Sequence, residues 1–152
     1  MNKKLIFPNL KFETFFSGKV EAVGHMILFY PRKRVKNIKA NFYGHFLKKT
    51  LTLKEEYFED TIKTNRIWKF KKISDDKYVG SEKNVPEPIK LIVHNNYLEM
   101  CYKFKTKYKF LSFNVVIKDS MYLMNNTYLI NKSAISKFGI TIAETILLYK
   151  KL

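Results

Sequence analysis

The sequence has 152 residues and a formal net charge of +16, with 46% hydrophobic and 28% charged residues. A chain of this length can bury a core of its own, so we expect one domain over residues 1–152, with 1–17 as a lead-in segment. The five glycines and four prolines exclude a low-complexity or disordered chain. The aromatic content of 16% favours β-structure, because aromatic side chains suit pleated, half-buried surfaces.

The positive charge comes almost entirely from lysine, since Arg32, Arg34 and Arg66 are the only arginines. The lysines are spread along the whole chain, whereas nucleic-acid binding more often uses clusters that include arginine. This pattern argues against nucleic acid as a partner and leaves an anionic membrane surface open. Compositional drift of an AT-rich genome explains the excess lysine equally well.

The first eight residues begin like a signal peptide, with two lysines followed by apolar residues. The apolar run stops at Phe7, short of the roughly 7–15 residues that such a segment needs. No stretch approaches the roughly 20 apolar residues of a membrane span. The lone cysteine, Cys101, excludes an internal disulfide. We therefore expect a cytoplasmic protein from the sequence as given.

Short alternating segments separated by turn-like residues predict an antiparallel meander. In the first half, turns are predicted at residues 31–35, 48–49 and 60–61. They set Gly24 opposite Phe42, Phe42 opposite Glu55, and Glu55 opposite Arg66. The predicted hairpins agree on one apolar face, which a one-residue slip would destroy.

The second half continues the same face. Turns are predicted at residues 75–76, 95–96 and 106–107, and Asn95 and Asn96 form a typical type I′ pair. These turns set Leu91 opposite Met100, and Met100 opposite Phe113. Two prolines, Pro86 and Pro88, mark an edge or a bend between strands.

Near the C-terminus, residues 133–139 predict one helical turn, with Ser133 as N-cap and Gly139 as C-cap. A last strand follows over 140–149. The pattern indicates an all-β fold of about nine or ten strands. An open sheet of this size exposes its edges, so we expect an antiparallel meander that closes into a lipocalin-like β-barrel. A two-sheet sandwich is the alternative.

The predicted interior contains a charged pair, Glu55 and Arg66, beside Phe42 and Trp68. Two interpretations stay open: a structural salt bridge inside the barrel, or a polar anchor for a ligand's head group with Trp68 as an aromatic wall. A general acid and base pair is the weakest interpretation, because no nucleophile or metal site lies near. Glu144 is predicted as a second buried acid.

Small residues on the same face leave open whether the interior is hollow. They are Ala22, Gly24, Ala40 and Gly44. They either let the strands bend or leave a pocket for one small ligand beside Phe42 and Trp68.

No metal, cofactor or catalytic residue is predicted. His25, His45 and His94 lie on different predicted strands without the spacing of metal ligands. Cys101 falls on the charged outer face without a partner.

Several stretches, in order, resemble a bacterial family known as domain of unknown function 3833. They are residues 12–18, 51–57, 66–68, 78–80, 121–123, 129–133 and 137–139. The resemblance implies a lipocalin-like, calycin-type barrel. Members are often lipoproteins, which makes the cell envelope or periplasm the alternative location. The family has no established activity or ligand.

This sequence departs from the family's pattern at three places. The family's glycine-rich stretch after the position of Val85 is replaced by Pro86, Glu87, Pro88 and apolar residues. The family has two aspartates and a tryptophan before Met121, whereas here the residues are Lys118, Asp119 and Ser120, so one aspartate is kept. No lipid-attachment cysteine lies near the N-terminus. The resemblance adds Asp119 to the candidate site residues.

From these observations we expect a non-enzymatic protein that binds a small apolar or amphipathic, lipid-like ligand inside the barrel. The candidate ligand-binding residues are Phe42, Glu55, Arg66, Trp68 and Asp119. The alternative is a basic protein that binds an anionic membrane or nucleic acid through its surface, with a solid barrel as scaffold. The sequence leaves the oligomeric state undetermined.

Overall fold

The computed structural model describes residues 7–152, which form one short helix and ten strands. The elements are α1 (Phe12–Phe16), β1 (Gly18–Leu28), β2 (Arg34–Leu47), β3 (Thr50–Glu59), β4 (Ile62–Ser74), β5 (Lys77–Ser81), β6 (Ile89–His94), β7 (Tyr97–Tyr108), β8 (Leu111–Leu123), β9 (Tyr128–Lys137) and β10 (Ile140–Lys151). The signal-like residues 1–6 lie outside the described part of the chain.

The strands close into an antiparallel barrel, as predicted. Each strand pairs with the next along the chain, and β1 pairs with both β2 and β10. Closure leaves no long sheet edge exposed, so the two-sheet sandwich is not formed. Tight turns join the strands, and several turn residues have a positive φ, including Lys49, Asp60, Asn95 and Lys109.

The predicted inner face is confirmed along most of the chain. The register sets Phe42 opposite Glu55, Glu55 opposite Arg66, and Leu91 opposite Met100. Core residues alternate with exposed ones along these strands, and Cys101 lies exposed on the outer face. Alternation with a period of two therefore gave the correct orientation of these side chains.

Two predicted turns lie at the wrong residues, although their strands face the right way. The turn between β7 and β8 lies at Lys109 and Phe110, so Met100 is opposite Asp119 and not Phe113. The connection between β1 and β2 covers residues 29–33, which sets Gly24 opposite Ile38. Both errors are even-numbered shifts, which change the partners but keep every side chain on its face.

The helical turn predicted near the C-terminus is wrong. Residues 133–137 continue strand β9, and Phe138 and Gly139, both with positive φ, form the turn into β10. Ser133 does not cap a helix, because its hydroxyl points inward and donates a hydrogen bond to Asp119. The helix of this structure lies instead within the predicted N-terminal lead-in, at α1.

The prediction that Glu144 is buried is also wrong. A bulge between Thr141 and Ala143 reverses the alternation at the start of β10, so that Ala143 and Thr145 are buried and Glu144 is exposed. The pattern was misleading because Ile146, although apolar, lies on the outer face.

Helix α1 forms the floor of the barrel. Phe12 and Phe16 are almost completely buried, and the Phe12 ring contacts the rings of Phe70 and Tyr78 edge to face. The last turn is held by Lys151, whose Nζ donates to the carbonyls of Phe15 and Ser17 at 3.0 and 2.6 Å. Lysine at a helix C-terminus satisfies carbonyl groups that lack partners within the helix.

A buried carboxylate fixes the orientation of the floor helix. Glu13 accepts hydrogen bonds from Lys72, at 2.6 Å, and from the hydroxyl of Tyr78. Burial alone would raise the pKa of Glu13, but these two hydrogen bonds, a backbone hydrogen bond and the charge of Lys72 together lower the pKa. The helix is thus attached to β4 and β5 by charge as well as by aromatic packing.

Gly44 makes the approach of this helix possible, because a Cβ there would overlap the carbonyl oxygen of Phe16. We expect Gly44→Ala to lower the free energy of unfolding by about 2–4 kcal/mol, measured by urea titration. The control is Gly139→Ala, where a Cβ meets no atom within 4 Å and the positive φ alone costs about 1 kcal/mol. Equal losses in the two variants would contradict this role of Gly44.

Candidate functional site

The barrel encloses a cavity of about 1020 Å³. It runs from the rings of Phe12 and Phe16 at the floor to the loop between β1 and β2, where Tyr30 and Arg32 line its mouth. Cavities that hold small molecules in proteins commonly measure about 300–1,000 Å³. The interior is therefore not packed solid and has room for a ligand.

Three polar groups from β3, β4 and β7 meet at mid-height inside the barrel, at the level called here the waist. Glu55 and Trp68 face inward from neighbouring strands, and the indole Nε1 of Trp68 donates to Oε2 of Glu55 at 2.6 Å. The Trp68 ring also lies edge to face with Tyr102 of β7, at 6.0 Å between ring centres. Trp68 is therefore both an aromatic wall and a hydrogen-bond donor.

Burial raises the pKa of Glu55, although the nearby Arg66 and the bond from Trp68 act in the opposite direction. Loss of hydration disfavours the charged carboxylate more than these two neighbours favour it. A group of this kind takes up a proton more readily than an exposed glutamate does.

Asp119 is the second buried acid of the waist. Its carboxylate accepts hydrogen bonds from Tyr102 at 2.9 Å, from the amide of Asn131 at 3.4 Å and from the hydroxyl of Ser133. Burial nevertheless raises its pKa, and these three donors partly offset that shift. Because both of its oxygens are occupied, Asp119 is bound within a network of protein groups.

Arg66 lies opposite Glu55, on the neighbouring strand β4. Its Nη1 is 3.9 Å from Oε1 of Glu55, which is an ion-pair contact but too long for a hydrogen bond. The guanidinium carbon lies 4.5 Å from the ring centre of Tyr57 and 5.2 Å from that of Phe104. Its Nε is buried without a hydrogen-bond partner among the described residues. Arg66 therefore has donor capacity to spare at the cavity wall.

The wall beside Arg66 lacks strand-to-strand hydrogen bonds between the described strands β4 and β7. Strands β5 and β6 are short, so the part of β4 before Lys69 and the part of β7 after Cys101 have no strand between them. Trp68 contacts Tyr102 across this seam, and Arg66 contacts Phe104. The segment between β5 and β6 covers the seam from outside, where the carbonyl of Asn84 accepts a hydrogen bond from the amide of Lys105 at 2.8 Å.

The mouth of the cavity is rich in positive charge. Arg32, Arg34, Lys36 and Lys107 line it, against one acid, Glu59, which pairs with Lys36. A cavity with positive charges at its entrance attracts anionic molecules and orients them with the charged end outward.

The structure brings all five predicted site residues to the wall of this one cavity. Phe42 lies near the floor and stacks against Tyr149, with ring centres 5.5 Å apart. The role of the five predicted residues in ligand binding stays a prediction. Sequence reasoning missed Tyr102, Asn131 and Ser133, which surround Asp119. The alternation of polar Asn131 and Ser133 was the available signal, but Ser133 was interpreted as the N-cap of a helical turn over 133–139.

Among residues 7–152 there is no group of three or more His, Cys, Asp or Glu side chains that could hold a metal ion. No helix in the described part of the chain is long and apolar enough to cross a membrane.

The chain matches a family described as "Protein of unknown function (DUF3833)" over residues 3–151. None of the curated proteins matches it. Among solved structures, it is similar to the S-type phycobiliprotein lyase CpeS from Guillardia theta, at 9% sequence identity and a TM-score of 0.62. The alignment covers 91% of this chain and 88% of the lyase. At this identity the similarity shows a shared barrel fold.

The raised pKa of Glu55 has a consequence for stability. Because the folded pKa lies above that of the unfolded chain, folding takes up a proton between the two values. The stabilisation is complete below about pH 4 and is lost as the pH rises through the folded pKa. We expect wild-type protein to lose stability relative to Glu55→Gln as the pH rises, measured by urea unfolding at a series of pH values.

Glu87→Gln is the matched control, because Glu87 is exposed and its removal changes the net charge equally. Parallel pH profiles of wild type and Glu55→Gln would show that Glu55 titrates alike in the folded and unfolded chain, against the account of the waist.

Proposed function

This chain belongs to the DUF3833 family of proteins of unknown function, and we propose that its barrel binds a small amphipathic molecule in the interior cavity. The observation that carries the proposal is the cavity of about 1020 Å³, which is closed by α1 at one end and opens between positive charges at the other. The ligand's apolar part lies inside the barrel, and its anionic group lies toward Arg66 and the mouth.

The lining of the cavity favours an apolar body. Most of the side chains that line the cavity are aliphatic or aromatic, from Leu53 and Phe70 near the floor to Met26, Phe104 and Val115 nearer the mouth. Placing a ligand's apolar surface against them removes it from water, which contributes about 25 cal/mol per Å². The few polar groups converge at one level, the arrangement typical of ligand sites that fix orientation with a small number of contacts.

Arg66 favours an acceptor group on that ligand. Its nearest carboxylate, on Glu55, is beyond hydrogen-bond distance, and its Nε has no partner among the described residues. The Arg66 side chain is 20% exposed, so a carboxylate or similar anion in the cavity can accept charge-assisted hydrogen bonds from the exposed part of the guanidinium. The aromatic rings of Tyr57 and Phe104 hold the guanidinium in place, so little side-chain entropy is lost on binding.

A fluorescent fatty acid tests the proposal through Trp68, the only tryptophan of the chain. We expect saturable quenching of Trp68 emission as the probe, such as parinaric acid, enters the cavity of protein from which lipids have been extracted. Ala143→Phe projects a ring into the cavity and should weaken the apparent affinity about tenfold or more.

The control is Ala134→Phe, which makes the same change on the outer face of the neighbouring strand β9 and should bind like wild type. Equal affinity of the two variants would place the probe outside the barrel and contradict the proposal.

The role of Arg66 is tested by comparing a fatty acid with its methyl ester. Wild type should prefer the acid about tenfold or more, because a hydrogen bond to a charged group is worth about 1.5–3 kcal/mol. We expect Arg66→Met to lose this preference while it keeps the affinity for the ester, measured by Trp68 quenching. An unchanged preference in Arg66→Met would assign the anionic contact to other residues.

A further inference from the structure

One end of the barrel carries a ring of exposed apolar side chains. In an antiparallel barrel the connections that follow odd-numbered strands all lie at the same end. Here these connections carry Tyr30 after β1, Ile62 after β3, Phe110 after β7 and Phe138 after β9. The side chains of Phe110 and Phe138 are 98% and 89% exposed, and Tyr30 and Ile62 are exposed as well. A protein rarely leaves so many large apolar groups at its turns without a function.

The opposite end is built differently. Its turns carry Lys48 and Lys49, Asp75 and Asp76, Asn95 and Asn96, and residues 125–127, and they are mainly polar. The large exposed apolar side chains there are Leu47, Ile73, Met124 and Leu152, with Phe7 ahead of α1. They are 48–59% exposed, well below Phe110 and Phe138 at the other end. The floor helix α1 seals this mainly polar end. The most exposed apolar side chains therefore lie at the same end of the barrel as the mouth of the cavity.

Positive charges lie between the apolar tips. At the mouth end the exposed cations are Arg32, Lys33, Arg34, Lys107 and Lys109, and the acids near them are Glu59 and Asp60. The connection between β5 and β6 adds Lys83 and two acids, Glu82, which accepts a hydrogen bond from the amide of Asn84, and Glu87, which pairs with Lys103. Glu59 is engaged by Lys36, and Asp60 accepts a hydrogen bond from the amide of Asn37 at 2.9 Å. The tips therefore stand in a field of net positive charge.

We propose that the mouth end of the barrel docks onto an anionic lipid bilayer, with Phe110 and Phe138 inserted among the lipid head groups. Aromatic and aliphatic side chains contribute by leaving water, and the surrounding cations are attracted to anionic lipids by about 1 kcal/mol each. In this orientation the mouth of the cavity lies at the membrane surface.

The chemistry of the surface favours a bilayer over the other candidate partners. A second copy of the chain would bring two strongly positive surfaces together, which is unfavourable. Nucleic acid would use the cations and stack bases on aromatic rings, but it would give no role to aliphatic tips such as Ile62, Leu111 and Ile140. A bilayer uses both components at once.

The first experiment compares apolar tips at the two ends of the barrel. Wild type should sediment with vesicles of phosphatidylcholine and phosphatidylserine, and much less with phosphatidylcholine alone. We expect Phe110→Ser with Phe138→Ser to weaken binding about tenfold or more. Leu47→Ser with Met124→Ser, at the other end, should bind like wild type. All four side chains are exposed, so these variants should keep the fold.

The second experiment compares two lysines at the mouth end with two lysines on the outer wall of the barrel. Lys33→Glu with Lys109→Glu should weaken vesicle binding about a hundredfold or more. Lys69→Glu with Lys71→Glu changes the net charge equally on the outer wall of β4 and should have a much smaller effect. Equal losses would mean that binding follows net charge alone, which would overturn the proposed surface.

Two further outcomes would also overturn it. One is concentration-dependent dimerisation in analytical ultracentrifugation that Phe110→Ser with Phe138→Ser abolishes, without vesicle binding. The other is that the protein binds a DNA oligonucleotide but not vesicles, and that Phe110→Ser with Phe138→Ser leaves this DNA binding unchanged. Vesicle binding is measured on lipid-extracted protein and on Ala143→Phe, whose cavity is blocked. Vesicle binding can therefore be established even if the cavity holds no ligand, and ligand binding in the cavity can be established even if the protein does not bind vesicles.

Discussion

The contact between the backbone of α1 and Gly44 is the constraint on which the rest of the structure depends. A ten-stranded barrel is too wide for its own side chains to fill, so one end needs a separate plug. Here the plug is a single helical turn whose carbonyl, at Phe16, lies where a Cβ of residue 44 would be. Glu13 joins this turn to Lys72 and Tyr78, and Lys151 holds its last carbonyls. Closing one end leaves a cavity with a single mouth.

Above this floor, the barrel keeps polar groups in its interior where apolar ones would pack more simply. Burying two carboxylates, Glu55 and Asp119, costs free energy that their hydrogen bonds only partly return, as the raised pKa of each indicates. Asp119 is satisfied by its neighbours, whereas Arg66 is left with an unused donor. We interpret Arg66 as the group whose contacts a ligand completes. The network around Asp119 then serves as the rigid support of this site.

The sequence predicted which side chains face the barrel interior better than it predicted which residues pair across neighbouring strands. Alternation places Phe42, Glu55, Arg66 and Trp68 inside because it depends only on parity, and even-numbered errors at two turns left it intact. It failed at Glu144, where a bulge in β10 shifts the parity and the outer face carries apolar residues. A bulge has no signature in such a pattern.

Features that rest on contacts between distant residues were outside the reach of the sequence. The floor helix is too short for its periodicity to be recognised, and it is stabilised by Lys72 and Lys151, far away in the chain. The network around Asp119 joins residues from three strands, β7, β8 and β9. Only the closed barrel brings these strands together, so the alternation of Asn131 and Ser133 could indicate inward-facing polar groups but not their partner, Asp119.

The central claim is that the cavity holds a small molecule, and native mass spectrometry of the protein purified from cells tests it most directly. The account predicts an additional mass on the 18.2 kDa chain that organic extraction removes and that is absent from Ala143→Phe purified in the same way. The contradicting result is an additional mass that Ala143→Phe retains in full, because a molecule bound regardless of the blocked cavity is not held inside the barrel.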